Sequence, residues 1–297
     1  MIHIHFILNP IAGKGNNELD LALLNKHFDK EFYSYIIKPT CYKKHAIALT
    51  QESLAQKADI IVACGGDGTI NEVASCLVNS TIPLGIIPIG SGNGLASNLN
   101  IPKNIDKALE LIKTQHTRLI DVGKLNHNYF FSNTGIGFDA QVIKHYEASN
   151  ERTISSYIRA TVISLKKVNN KIADVETTIN DKTMQHKPFL IFISNTNEMG
   201  YNVSLTPKAL LDDGKLDVLI VPKLSFFKIV LFTLLMLIKR HNLLKEVQIF
   251  QTKNIKITKK KTLFQIQLDG EFSIIKNRHI DISILERALT VICLATI

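Results

Sequence analysis

No apolar run in this sequence is long enough to cross a membrane as a helix. The longest, Leu224–Ile238, has 15 residues and is interrupted by Lys228, whereas a spanning helix needs about 20. It reads as a buried or membrane-grazing helix. The N-terminus, MIHIHFILNP, lacks a basic start, and Pro10 cuts its apolar stretch short, so it reads as a strand and not as a signal peptide. Cysteine is sparse: four residues, at 41, 64, 76 and 293, form no CxxC pair and have no accompanying His cluster. That argues against a zinc site or a disulfide framework and fits a reducing compartment. Cytoplasmic localisation is expected, with peripheral contact at the inner membrane face as an option. The GxxxxGK[ST] spacing of a P-loop is absent, as are internal repeats and low-complexity tracts. Lys far outnumbers Arg, and aromatic residues do not interleave with the basic ones, so a nucleic-acid partner is not expected.

What is present fits two medium-sized domains. The chain has 297 residues, 45% of them hydrophobic, and a formal net charge of +9. A basic surface favours anionic partners such as nucleotides or an anionic membrane. Over the first ~125 residues, strand-like and helix-like segments alternate. His3–Leu8, Phe32–Ile37, Asp59–Cys64 and Leu84–Pro88 read as strands; helical spacing follows in Leu19–Phe28, Ala46–Ala55 and Ile70–Leu77. This predicts an α/β domain with a parallel sheet over 1–125. Residues 126–286 carry short β-rich runs, among them Val175–Ile179, Leu216–Val221, Phe264–Leu268 and Ile280–Ile284, with helical stretches near Ser155–Lys167 and Leu224–Ile238. They read as a mainly β sandwich or barrel. The run Leu289–Ala295 is strand-like, and residues 287–297 are expected to return to the first domain. Thr258–Thr262 (TKKKT) reads as a solvated turn.

Four short motifs carry chemistry. Asn9–Gly15 (NPIAGKG) follows the first strand, and its glycines and Lys14 suit either an ordinary turn or a phosphate contact. Gly65-Gly66-Asp67-Gly68-Thr69 lies between a buried strand and a helix. Its glycines remove side chains that would hold phosphates off the backbone amides, and the helix adds its positive end. A carboxylate beside a triphosphate is repelled unless Mg²⁺ or a transferable proton intervenes, so Asp67 points to phosphoryl transfer; the alternative is a tight turn with a helix cap. Gly90-Ser91-Gly92-Asn93-Gly94 repeats the pattern after the next strand, so both loops face one crevice at the carboxyl ends of the strands. Asp269-Gly270-Glu271 reads as a hairpin turn or as acids serving as general base or Mg²⁺ ligands.

Taken together and in order, these motifs resemble the diacylglycerol kinase / sphingosine kinase superfamily of lipid kinases, including its bacterial members. The resemblance runs nearly end to end, through GGDGTINEV (Gly65–Val73), FSNTGIGFDAQV (Phe131–Val142), LTPKALLDDGKLDVLIV (Leu205–Val221) and QLDGE (Gln267–Glu271). It implies an NAD kinase-like α/β domain that carries the nucleotide, a β-sandwich domain, and a lipid entering between them. By the family pattern Asn9, Thr40, Gly65, Gly66, Asp67, Gly68, Thr69, Asn71, Ser91 and Asn93 contact ATP. The same pattern implies Asp269 or Glu271 as catalytic base, linked through water and Mg²⁺ to Asp67. The resemblance to bacterial members also implies a structural Mg²⁺, which here would use the Asp213 carboxylate with the Leu210 and Lys215 carbonyls.

The sequence also departs from the bacterial pattern, which has Asp then Phe-Ala-Arg after Asn93; here Gly94, Leu95, Ala96 and Ser97 follow. GSGNGLA and His45-Ala46 are closer to sphingosine and ceramide kinases. The expected activity is therefore ATP- and Mg²⁺-dependent phosphorylation of a lipid hydroxyl, diacylglycerol-like or sphingoid-type. Alternatives are a soluble NAD kinase-like enzyme, or a non-catalytic nucleotide- or lipid-binding regulator. The partner is a lipid substrate at the membrane surface, and a homodimer is possible.

Overall fold

The structure is a computed structural model that describes residues 1–13, 19–90, 92–149, 153–167, 174–197, 204–260 and 263–294. In chain order the elements are β1 (Ile2–Leu8), α1 (Leu21–His27), β2 (Tyr33–Pro39), α2 (His45–Ala55), β3 (Ile60–Gly65), α3 (Asp67–Leu77), β4 (Leu84–Pro88), α4 (Gly94–Asn98), α5 (Ile105–Thr114) and β5 (Thr117–Leu125). There follow β6 (Asn128–Phe130), β7 (Asn133–Gly137), α6 (Phe138–Glu147), α7 (Ile154–Lys167), β8 (Val175–Ile179), β9 (Lys182–His186), β10 (Pro188–Ser194), β11 (Leu216–Pro222) and α8 (Phe226–Leu237). The last are β12 (Gln248–Thr252), β13 (Asn254–Lys259), β14 (Phe264–Leu268), β15 (Glu271–Ile275) and β16 (His279–Ile292). The chain divides into two compact units, Met1–Val122 with Glu286–Ile297, and Gly123–Leu285.

The first unit is built on parallel strands in the order β2-β1-β3-β4, with the end of β16 parallel to β4 through Val291 and Leu84. Every residue of β3 and β4 is buried, as expected of near-continuous apolar strands covered on both faces. The helices supply the cover. In α3, Ile70, Val73, Ala74 and Leu77 are buried at i, i+3, i+4 and i+7, one stripe facing the sheet. Polar caps set two helix starts: the Asp20 carboxylate accepts from the Leu23 N–H at 2.8 Å, and the Asn104 side chain from Lys107 N–H at 3.0 Å.

The second unit is antiparallel. One layer runs β12-β11-β10-β7-β14-β15; the first half of β16 pairs with β13, which continues to β8 and β9. Ile136, Ile191, Val218 and Ile266 of the first layer pack against Val175, Ile257, Ile280 and Ile282 of the other. This is the alternating inward face of a sandwich. On the opposite face of β10 and β11, Phe192, Leu219 and Val221 form a second apolar cluster, onto which Ile229, Phe232, Leu235 and Met236 of α8 pack.

Several segments differ from the sequence reading. Residues Phe138–Glu147 form a helix where the sequence reading assigned no element; its Val142 and Tyr146 pack against Ala160 of α7. Ile280–Ile284 and Leu289–Ala295 are not two strands: residues 280–292 all belong to β16, which is bent at Arg287 (φ 50°), whose N–H donates to buried Asp121 at 2.7 Å. The strand's local charge pair Glu286-Arg287 had masked its continuity. The run Leu224–Ile238 is buried on one side only: Leu224 and the packed face of α8 join the cluster on β10 and β11, while no residue of α8 is fully buried. Lys259 is not part of a solvated turn: it ends β13 with Nζ 4.3 Å above the Phe264 ring, and burial lowers its pKa to about 8. Lys261 and Thr262 of that run lie outside the described residues.

Candidate active site

The first four strands end level. Leu8 pairs with both Pro39 and Cys64, and Gly65 pairs with Pro88. Asn9, Thr40, Gly66 and Ile89 therefore leave the sheet at one carboxyl edge. Backbone bonds hold these exits: Asn9 N–H to Cys64 O at 2.9 Å, Thr40 N–H to Leu8 O at 2.7 Å, and Ile89 N–H to Gly65 O at 2.9 Å.

Close approach of backbones explains the glycines at two of these exits. A Cβ on Gly90 would lie 2.4 Å from the Gly66 Cα, and one on Gly13 (φ +67°) would lie 2.6 Å from the Ile89 carbonyl oxygen. Only glycine permits these contacts, so the loops after β1, β3 and β4 meet main chain to main chain.

Asp67, the first residue of α3, joins the second loop to the third. Its Oδ2 accepts from Asn93 N–H at 2.8 Å and its Oδ1 from Gly94 N–H at 2.7 Å. Asn93 is buried in the left-handed region (φ 56°), and its side-chain amide donates to Gly90 O at 2.6 Å. Its Oδ1 is a buried acceptor with no hydrogen-bond partner among the described residues. Asn9 donates through Nδ2 to Thr69 Oγ1 at 3.2 Å, while its Oδ1 accepts from Ile11 N–H at 3.2 Å. The structure thus brings Asn9, Gly65, Gly66, Asp67, Thr69 and Asn93 together. Gly68 lies in the same first turn of α3, and Thr40 at the same sheet edge. Asn71 is one turn further along α3, where its Oδ1 accepts from Ser75 Oγ at 3.3 Å. Ser91, Lys14 and Gly15 lie outside the described residues.

In the second unit, Asp269 and Gly270 form the two-residue turn between β14 and β15, both with positive φ (46° and 81°), and Leu268 pairs with Glu271 across it. This is the Asp-Gly hairpin geometry. The Asp269 carboxylate also folds back over the start of β7. It accepts from the backbone N–H groups of Phe131 at 2.9 Å, Ser132 at 2.8 Å and Asn133 at 3.0 Å. Beneath it buried Gln267 donates to Asn133 Oδ1 and Asp139 Oδ2, each at 2.7 Å. Burial pushes the Asp139 carboxyl up to about 6, partly offset by the Gln267 amide. Motif reading had quoted this stretch without assigning Asn133, Asp139 or Gln267 a role; its signal was a run of polar residues in a β-rich segment.

Of the residues expected to hold a metal, Asp213 accepts from Lys215 N–H through Oδ1 at 3.0 Å and from Gln251 Nε2 through Oδ2 at 3.3 Å. Gln251 also donates to Asp217 at 3.2 Å; burial pushes the Asp217 carboxyl up. Leu210 is exposed. The donors on offer are oxygens, which suits a hard cation. Among the described residues no three His, Cys, Asp or Glu side chains gather as a metal site. Nor is any described helix long and apolar enough to cross a membrane.

Comparison with known proteins follows the same division. The diacylglycerol kinase catalytic domain matches residues 3–125, and the YegS C-terminal NAD kinase beta sandwich-like domain matches residues 132–293. A diacylglycerol kinase of Bacillus subtilis is 27% identical over 278 residues, which is 92% of this chain and 90% of that protein. The crystal structure of a diacylglycerol kinase from Bacillus anthracis superposes with a TM-score of 0.77 at 26% identity, covering 98% of this chain and 97% of that one. Yeast NADH kinase, complexed with NADH, shares the fold alone: TM-score 0.51 at 11% identity, over 100% of this chain and 84% of its own. With its α/β unit matching the first model and its sandwich matching the second, the chain belongs to the diacylglycerol kinase / YegS-type family of lipid kinases.

Proposed function

We propose that this protein transfers the γ-phosphate of ATP to a hydroxyl of a membrane-derived lipid, diacylglycerol-like or sphingoid-type. One observation carries the reading furthest. The loops after β3 and β4 meet at Gly66 and Gly90 and are tied by Asp67. A glycine-lined edge of this kind, at the start of the 11-residue helix α3, presents main-chain N–H groups and a positive helix end to a phosphate chain.

The residues divide the work. Asn9, Thr40, Gly65 to Thr69, Asn71, Ser91 and Asn93 hold the nucleotide. Asp67 spends part of its negative charge on two backbone N–H groups, which eases its repulsion from phosphate. It also fixes the spacing between the two loops. Gly94, standing where the bacterial family pattern has Asp, contributes its N–H to that tie. Mg²⁺, when bound, neutralises developing charge on the transferring phosphoryl group; Asp67 would face it at the nucleotide, and Asp213 with the Leu210 and Lys215 carbonyls would hold the structural ion. Asp269 holds the start of β7 through three backbone N–H groups, and we assign acceptance of the lipid hydroxyl proton to Glu271, the first residue of β15. The relatives bear the name diacylglycerol kinase, whereas GSGNGLA and His45-Ala46 favour a sphingoid headgroup.

Transfer of radiolabelled γ-phosphate from Mg-ATP to a panel of glycerolipids and sphingoid bases in mixed micelles tests the reading, with NAD and a no-lipid control alongside. Label in one lipid class is expected. Label in NAD alone would replace the proposal with an NAD kinase-type activity. No label with ATP still bound would point to a regulator.

A further inference from the structure

We propose that α8 is a membrane-docking helix that lies in the headgroup region of an anionic bilayer. At about 100° per residue, Phe226, Leu237, Val230, Leu234, Phe227 and Leu231 fall in one arc of about 140°. All six are exposed, Phe226 by 74% and Phe227 by 83%. The opposite arc, Ile229, Phe232, Leu235 and Met236, is the one packed against β10 and β11. Each face of this helix is therefore apolar, and one of them stays exposed. Scattered exposed apolar residues are ordinary, but a contiguous stripe marks an interaction surface.

The surrounding charge identifies what covers it. Between Asp217 and Glu246 the chain has no carboxylate side chain but five cations: Lys223, Lys228, Lys239, Arg240 and Lys245. Glu246 is ion-paired with Lys228. Lys239 and Arg240 are exposed directly after the helix, next to exposed Ile238. An apolar stripe with a basic border complements anionic headgroups above acyl chains. A second copy of the chain would bring the same basic border against itself. With 12 residues, the helix is about 18 Å long, too short to span the hydrocarbon core and suited to lying in its interface. The proposal deepens the lipid-kinase reading by naming the face that meets the membrane where the substrate resides.

The full chain contains no Trp, so Phe227→Trp provides a reporter without background. Its emission should shift to the blue on adding vesicles that contain phosphatidylglycerol, and much less with phosphatidylcholine alone. Phe226→Ser with Phe227→Ser should lower vesicle affinity roughly tenfold or more for each ring removed; Lys239→Ala with Arg240→Ala should lower it about fivefold for each charge. Phosphorylation of a short-chain, monomerically dissolved lipid acceptor should be unchanged in all three variants. An unshifted spectrum with anionic vesicles, or equal vesicle binding by the Phe→Ser pair, would overturn the proposal. So would a blue shift that follows protein concentration without lipid, which would make the face a self-interface. Vesicle binding lost with the Phe→Ser pair, in a protein that phosphorylates no lipid, would uphold the docking surface and refute the kinase reading separately.

Discussion

The carboxylate of Asp67 accepts the backbone N–H of Gly94 at 2.7 Å, across 27 residues of sequence. Through that bond and its companion to Asn93, the start of α3 and the start of α4 share one anion. Asp67→Ala is therefore expected to abolish phosphoryl transfer with the fold intact. Two hydrogen bonds to a charged group, each worth about 1.5–3 kcal/mol, would be lost from the loops. Asp67→Asn keeps one acceptor oxygen and should bind nucleotide with intermediate affinity. Phosphoryl transfer, ATP titration and circular dichroism check this; an active Asp67→Ala enzyme would refute the assignment.

Gly90 and Gly270 separate close contact from backbone strain. At Gly90 an added Cβ meets the Gly66 Cα at 2.4 Å, main chain that cannot rotate away. Gly90→Ala should cost about 1–3 kcal/mol and weaken ATP binding by more than about tenfold, from roughly 1.4 kcal/mol of lost contact. Gly270 (φ +81°) has nothing within 4 Å of its would-be Cβ, so Gly270→Ala should cost only the left-handed strain, about 1–2 kcal/mol, with ATP affinity unchanged. Denaturant unfolding and ATP titration of both variants distinguish them; matching ATP affinities would remove the contact argument.

Asp269 and Glu271, two residues apart, should fail in different ways. Asp269→Asn replaces an acceptor of three N–H groups with a side chain that itself carries N–H, leaving at least one donor unpaired at about 1–3 kcal/mol. Its Tm should fall. Glu271→Gln should lower kcat roughly 10²–10⁴-fold, the usual weight of a general base. A stable Asp269→Asn protein together with an active Glu271→Gln enzyme would reverse the roles given to the pair.

Asp139 makes stability depend on pH. Its folded-state pKa, about 6, is raised above the ordinary 3.8. Its contribution is therefore fully present below about pH 4 and is lost as pH rises through about 6. That interval corresponds to about 3 kcal/mol. Asp139→Asn stays neutral and can still accept from Gln267. Relative to it, the native protein should lose stability between pH 4 and 7, as read by urea unfolding. Parallel curves for the two proteins would show that Asp139 is not held neutral by burial.

The parallel strands and the three loops at their carboxyl edge were legible in the sequence, because glycine clusters punctuate apolar runs of strand length. The reason for those glycines was not legible, since Gly66 and Gly90 meet through space. The Asp269-Gly270 turn was readable as a hairpin, but its grip on residues 131–133 depends on long-range folding. Helix α8 was legible as a helix, buried or membrane-grazing, but not which of its faces is covered: a helix apolar on all sides normally lies in a core, and composition does not say that only one face is packed. In β16, the charged pair Glu286-Arg287 and the left-handed bend at Arg287 hid one long strand behind two apparent short ones.

The central claim is that the glycine-loop edge hands the γ-phosphate of ATP to a lipid. The most direct measurement counts products: ADP released and phospholipid formed, by mass spectrometry, after incubating Mg-ATP and lipid micelles with the native protein, Gly90→Ala and Glu271→Gln. The account predicts equimolar ADP and phospholipid from the native protein and, at subsaturating ATP, far less of both from the two variants. ADP without phospholipid, or phospholipid formed undiminished by both variants, would contradict it.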